Sequence, residues 1–239
     1  MEKCKKIVAD GSKKEFNESF QQIVDDFEKI ELDTSVERPK VGIVGEVLIK
    51  YHSFGNNFLA EKLESEGAEV FLPDFVGFAK FICTHKVTFN NLIKSNPILG
   101  PLMMQVIKLI DKFEQPEIEA LKSSKKGYLI PDDIFELEDN VDGILSIGNQ
   151  TGEGWFLTAE MVQLIKSGVT NIACVQPFAC LPNHVVGKGV IKTIRDKYPE
   201  ANISAIDYDP GASEANQTNR MKLLMAVAKD NLKDKENRE

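Results

Sequence analysis

Cys180 lies in the stretch NIACVQPFACLPNHVVGKG, where a short apolar strand over 171–176 should turn into a helix. Val186, Val190, Ile191, Ile194 and Tyr198 recur at helical spacing and predict that helix over 183–198. Pro177 and Pro182 bracket the turn, and proline suits the approach to a helix and its first turn, where no N–H is needed. The thiol is thus expected at a strand's carboxyl end, beside free helix N–H groups. A thiolate there, or a metal cluster held by one, gains from the helix dipole.

Other reactive or polar residues follow other expected strands. Glu46, Tyr51, His52, Asn56 and Asn57 come after an apolar run at 41–46. GNQTGEGW, with Glu153 and Trp155, comes after GILSIG at 143–148. Gln176, Asn183 and His184 flank Cys180, while Asp209, Ser213, Gln217 and Arg220 follow NISAIDYD. Sheets of this kind place their sites beyond the carboxyl ends of the strands, so one sheet edge becomes the candidate site.

Several of these residues have plainer readings. Glu153, between two glycines, is either a solvated loop carboxylate or an acid–base or ligand-orienting group. His184 can bond within its own helix, and Arg220 can pair with Glu214 or with Asp209. Asp207 and Asp209 alternate around Tyr208, so only one can face the site. Cys174 reads as a small core hydrophobe. Cys83 reads as core too, with His85 leaving a weak metal reading, and Cys4 is expected at the surface.

The elements that must position these residues alternate. A charged helix with Phe16, Phe20, Ile23, Val24 and Phe27 on one face is predicted over 3–32, with a polar link to 39. From 40 to 230 strands and amphipathic helices follow one another: strands at 41–46, 69–73, 143–148, 171–176 and 202–208, helices at 57–67, 155–167, 183–198 and 213–230. Residues 74–126 are expected to insert two or three helices as a lid or partner surface, and 231–239 to form a solvated tail. The pattern predicts an α/β fold, a doubly wound and mainly parallel sheet of about five strands with an inserted helical subdomain.

Composition narrows the function. The chain has 239 residues, 42% of them hydrophobic, so a sizeable core can form. Its 37 acidic against 29 basic residues give a net charge of −8, which argues against a nucleic-acid partner. No apolar run is long enough to span a bilayer, and the first residues lack a secretory h-region, so a cytoplasmic protein with no membrane role is expected. The four cysteines form no close pairs and are expected as thiols or metal ligands. There is no GxGxxG after the first strand, no Walker A motif, no GxSxG elbow and no CxxC.

TGEGWFLTAEM (151–161) and VQPFACLPNHVVGKGVIKTIRDKYPEANISAIDYDPGASEANQTNR (175–220) resemble the C-terminal part of proteins related to 2-hydroxyglutaryl-CoA dehydratase. They look most like the acyl-CoA dehydratase activase-related and double-cubane cluster proteins. VGIVGEVLIKYHSFGNNFLAEKLESEGAEVFLPD (41–74) is similar to the start of the same domain, so the resemblance spans about 40–225. It implies two stacked α/β domains that hold an iron–sulfur cluster, 4Fe-4S or double-cubane, between cysteines of both. It also implies an ATP-dependent activator that delivers low-potential electrons.

Cys180 falls on the family's cluster-ligand position. Glu153, Trp155, Asn183, His184, Asp209 and Arg220 match motif positions, which makes Glu153 a catalytic candidate and Asn183 and His184 cofactor-binding candidates. The family's other cluster cysteines and its ATPase domain have no counterpart here. The expectation is a fragment or remnant that is incomplete as an enzyme and binds a cluster only with a companion domain or subunit. The competing expectation is a non-catalytic α/β module that docks a cluster-bearing partner.

Overall fold

The computed structural model describes residues 2–94, 96–211 and 213–236. The charged N-terminal stretch forms two helices, α1 (Glu2–Asp10) and α2 (Lys13–Glu28), in place of the single one expected. Gly11 takes a φ of 63°, and the Ser12 hydroxyl then accepts the Glu15 N–H to cap α2. The chain continues as β1 (Lys40–Gly45), α3 (Val47–Tyr51), α4 (Leu59–Ser65), β2 (Glu69–Phe71), α5 (Val76–Ile93), α6 (Leu99–Ser123) and α7 (Ile134–Asn140). It ends with α8 (Gly154–Lys166), β3 (Asn171–Pro177), α9 (Leu181–Asn183), a π-helical turn (His184–Lys188), α10 (Ile191–Lys197), β4 (Asn202–Tyr208) and α11 (Ala215–Glu236).

Two units emerge. Met1–Val36 and Ile82–Asp132 make a helical unit, in which α2 packs along α6. Glu37–Phe81 and Asp133–Glu239 make a sheet unit. No helix among the described residues is long and apolar enough to cross a membrane.

The sheet unit is a doubly wound parallel sheet of four strands, in the order β2-β1-β3-β4. In register, Gly42 stands beside Ile172 and Ile172 beside Ile203, which sets the parity of every inward side chain. On one face Val41, Ile43, Ala173, Val175, Ile206 and Tyr208 pack on Leu59 and Leu63 of α4 and on Met221, Leu224 and Met225 of α11. On the other, Cys174 lies against Gly187 of the π turn, which also touches Leu157 of α8. Buried on both faces, β1 and β3 read as continuous apolar runs rather than alternating ones.

Three expectations are corrected. GILSIG (143–148) is not a strand, so the sheet has four strands rather than five. Gly143 has a φ of 69°, and the N–H groups of Ile144 and Leu145 donate to Val141 O, which commits this backbone to turns. Helix α11 runs on to Glu236, through most of the expected solvated tail, while 237–239 lie outside the described residues. The single helix expected over 183–198 is instead broken by the π turn into α9 and α10.

Candidate functional site at the strand ends

The connection from β1 to β2 runs through α4 on one face, and that from β3 to β4 through the π turn on the other. The winding therefore reverses between β1 and β3, and the crevice beyond their carboxyl ends is where such sheets bind ligands. Gly45 closes β1 with a φ of 140°, and the Glu46 N–H donates to Val175 O (3.0 Å), so the two strands part there. The Glu46 carboxylate accepts the Ile49 N–H (2.8 Å) and caps α3.

Across the crevice, β3 ends at Pro177, and Ala179 adopts a φ of 61°. That left-handed residue turns the chain sharply and delivers Cys180 to the cap position of α9, half-buried. The side chains around the thiol are exposed and apolar: Phe178 is 66% exposed, Leu181 73% and Val185 48%. His184 Nδ1 lies 2.9 Å from Cys180 O, tying the ring to its own turn.

The TGEGW loop meets this turn, since a side chain at Gly152 would stand 2.9 Å from Pro182. Glu153 is buried, and its Oε1 accepts the Val47 N–H (3.3 Å) at the start of α3. Burial holds its carboxyl above the ordinary range, Val47 N–H and Lys50 pull it down, and Glu46 adds to the upward push. A carboxyl so placed is suited to hold a proton at the crevice.

Asp207, not Asp209, faces the site. Its register opposite Gln176 brings Gln176 Nε2 to Asp207 Oδ1 (2.5 Å), with Lys188 Nζ 3.5 Å from Oδ2 and His184 Nε2 3.8 Å from Oδ1. Asp209 instead accepts the Gly211 N–H, and Glu214 meets Lys62. Asn57 and Gln217 join side chain to side chain (2.7 Å) farther along the same edge.

Asn183 and Gln176 are fully buried. Both amide atoms of Asn183, Gln176 Oε1, Gln150 Oε1 and Trp155 Nε1 find no protein partner. Such groups in a native interior bond to water or ligand, so this end of β3 is the polar end of the unit.

Residue types alone did not single out Lys50 and Glu160. Lys50 Nζ lies 2.7 Å from Glu160 Oε1, with both side chains almost wholly buried and the Tyr51 ring 4.7 Å from the ammonium. The local signal is a glutamate inside the mostly apolar run FLTAEMV. Tyr51 donates to the carbonyls of Pro73 and Asp74, and burial raises its phenol well above the usual range.

A hollow of 790 Å³ opens at the opposite edge, by Thr170, Arg195, Asn202 and Lys235. Arg195 there donates to Ile203 O, and the Asn202 amide donates to Asn171 Oδ1 and Leu224 O. Those groups serve the strand starts.

The thiols differ sharply. Cys174 is fully buried, and burial pushes its thiol up to about 12, whereas Cys180 is partly open to solvent. In a Cys4→Ser, Cys83→Ser background, Ellman's reagent should titrate one thiol per native chain and two after denaturation. Peptide mapping should place the fast thiol at Cys180, and a fast Cys174 would refute the packing described. Among the described residues no three His, Cys, Asp or Glu side chains gather in metal-ligating geometry. Comparison with family models, curated proteins and solved structures gives no match for this chain.

Proposed function

We propose that the sheet unit is one half of a two-part iron–sulfur site in a reductase or 2-hydroxyacyl-CoA dehydratase-type protein that handles low-potential electrons. The observation that carries this reading is the placement of Cys180. It stands at the edge where the winding reverses, on a turn held by a left-handed Ala179, ringed by exposed Phe178, Leu181 and Val185. An apolar collar around a thiol suits a surface that a companion domain covers.

The chain's own donors do not fit a whole cluster. Clusters of this class take about four ligands, mostly cysteine. Cys174 cannot add a second at this edge, because its sulfur is packed against Gly187 in the core. Cys180 supplies one ligand, and the companion α/β domain or subunit supplies the others. With the companion's ligands in place, Cys180 would hold the cluster at this edge, and the cluster would supply the low-potential electron chemistry, with an ATP-dependent activator as the implied donor.

This chain's own groups have the remaining roles. Glu153 holds a proton at the crevice, and His184 fixes the Cys180 carbonyl. Asp207, with Gln176 and Lys188, sets the charge beside His184. The single usable thiol also favours a second reading, a non-catalytic module that docks a cluster-bearing partner through the same collar.

Iron and acid-labile sulfide counted after anaerobic reconstitution separate the two. The chain alone should hold little iron. Adding the companion should bring stoichiometric iron that depends on Cys180, whereas iron indifferent to Cys180→Ser supports the docking module.

A further inference from the structure

Residues 178–188 carry their polarity inside out. Phe178, Leu181 and Val185 are exposed, while Asn183 between them is fully buried. Neither amide atom of Asn183 meets a protein partner. Gln176 Oε1, buried beneath the π turn, meets none either. An unpartnered buried amide forfeits its hydration, and exposed large apolar side chains forfeit burial, so this packing is unfavourable on both counts. The backbone is unusual at the same place. Ala179 holds a φ of 61°, and over His184–Lys188 a π turn replaces the α-helical ladder, with the Gly189 N–H donating to His184 O (2.8 Å).

We infer that residues 178–188 form a two-position strap, closed here over the end of β3 and able to lift from it while the sheet stays folded. Lifting hydrates Asn183 and Gln176. It also uncovers the sulfur of Cys174, which lies so close beneath Gly187 that an added β-carbon there would stand 3.1 Å from it. The closed position is the major one because Val186 is buried and the Thr158 hydroxyl donates to Val186 O (2.6 Å). At its two ends the Phe178 N–H donates to Tyr208 O (2.8 Å), and Lys188 Nζ lies 3.5 Å from Asp207 Oδ2. These ties are few beside those of β3, which is paired along its length with β1 and β4, so the strap opens before the sheet does. Cys180 lies on the strap, so opening moves that thiol away from the end of β3.

The strap does not depend on Cys180 holding a cluster, and its test removes that residue. The full chain with Cys4→Ser, Cys83→Ser and Cys180→Ser keeps one thiol, the buried Cys174. Excess Ellman's reagent reacts with it slowly, only when it is uncovered, so the rate reports the open fraction. Below roughly 1 M urea that rate should barely change, because lifting a short strap exposes little surface. It should climb steeply only where the whole chain unfolds. Asn183→Leu keeps the branched shape without the amide and should slow the low-urea rate at least about tenfold, the equivalent of 1.4 kcal/mol. Thr158→Val, which removes the bond to Val186 O, should raise it several-fold. A low-urea rate as steep in urea as global unfolding overturns the inference. So does a rate indifferent to Thr158→Val, or one that Asn183→Leu leaves unchanged or raises, the result expected where a buried water satisfies the amide.

Discussion

Lys50→Met should cost about 3–5 kcal/mol of stability at neutral pH, because it leaves the Glu160 carboxylate buried without its cation. For a chain of this size that lowers the melting temperature by on the order of 10 °C. The loss should depend on pH in a definite sense. Burial raises the pKa of Glu160 and that of Glu153, against the pull of Lys50 on both. A carboxyl whose folded pKa lies above its unfolded value contributes stability that is fully present below the unfolded pKa, about 4.3 for Glu. That contribution is lost as pH rises through the folded pKa. The wild-type chain should therefore gain stability from these two groups as pH falls from neutrality toward the carboxylate range.

In Lys50→Met the same gain should be larger, since Glu160 can escape its isolation only by taking up a proton. Pairing Lys50→Met with Glu160→Leu should recover most of the loss, because an apolar pair of similar volume replaces both charges. Urea melts between pH 5 and 8 would read all three chains. A Lys50→Met penalty below about 1 kcal/mol would mean that the pair is hydrated, as surface pairs are.

Gly45→Ala should be comparably damaging, for a steric reason. A β-carbon at Gly45 would stand 1.9 Å from Val175 O and 2.8 Å from Val175 N, all backbone. The same oxygen accepts the Glu46 N–H, so the clash falls where β1 and β3 part. No rotamer change relieves it, and the loss should exceed about 3 kcal/mol, the range of mutations with a named severe mechanism. Gly67→Ala is the control: its φ is 94°, yet nothing lies within 4 Å of the added carbon. It should cost only the backbone strain, about 1–2 kcal/mol. Equal penalties at the two positions would mean that conformation, not contact with Val175, governs Gly45.

The alternation of buried strands with amphipathic helices made the doubly wound parallel sheet legible in the amino-acid sequence. The turn carrying Cys180 was legible too, because Pro177, Pro182 and the strand before them are local signals. GILSIG misled because a short apolar run suits a buried strand and a half-buried turn equally well. Only the turn hydrogen bonds of Ile144 and Leu145 to Val141 O and the positive φ of Gly143 distinguish them. Alternation showed that one of Asp207 and Asp209 faces the site, but the choice needed the register that sets Asp207 beside Gln176.

Pairings across the chain stayed out of reach for the same reason. Lys50 and Glu160 are 110 residues apart, and neither has a local feature that names the other. The π turn that seats Gly187 over Cys174 looks, in one dimension, like the middle of an ordinary helix.

Cys180 is the half-buried thiol at the carboxyl edge of the sheet and the proposed cluster ligand. Iron and sulfide should be counted on anaerobically reconstituted assemblies of this chain with the proposed companion domain, comparing Cys180→Ser with Cys174→Ser. Cys180→Ser should lose the iron while its melting curve stays near that of the unsubstituted chain. Cys174→Ser should keep the iron but melt earlier, because a hydroxyl then sits in the core with no partner. Iron lost from Cys174→Ser and retained by Cys180→Ser would contradict the assignment and move the chemistry away from this edge.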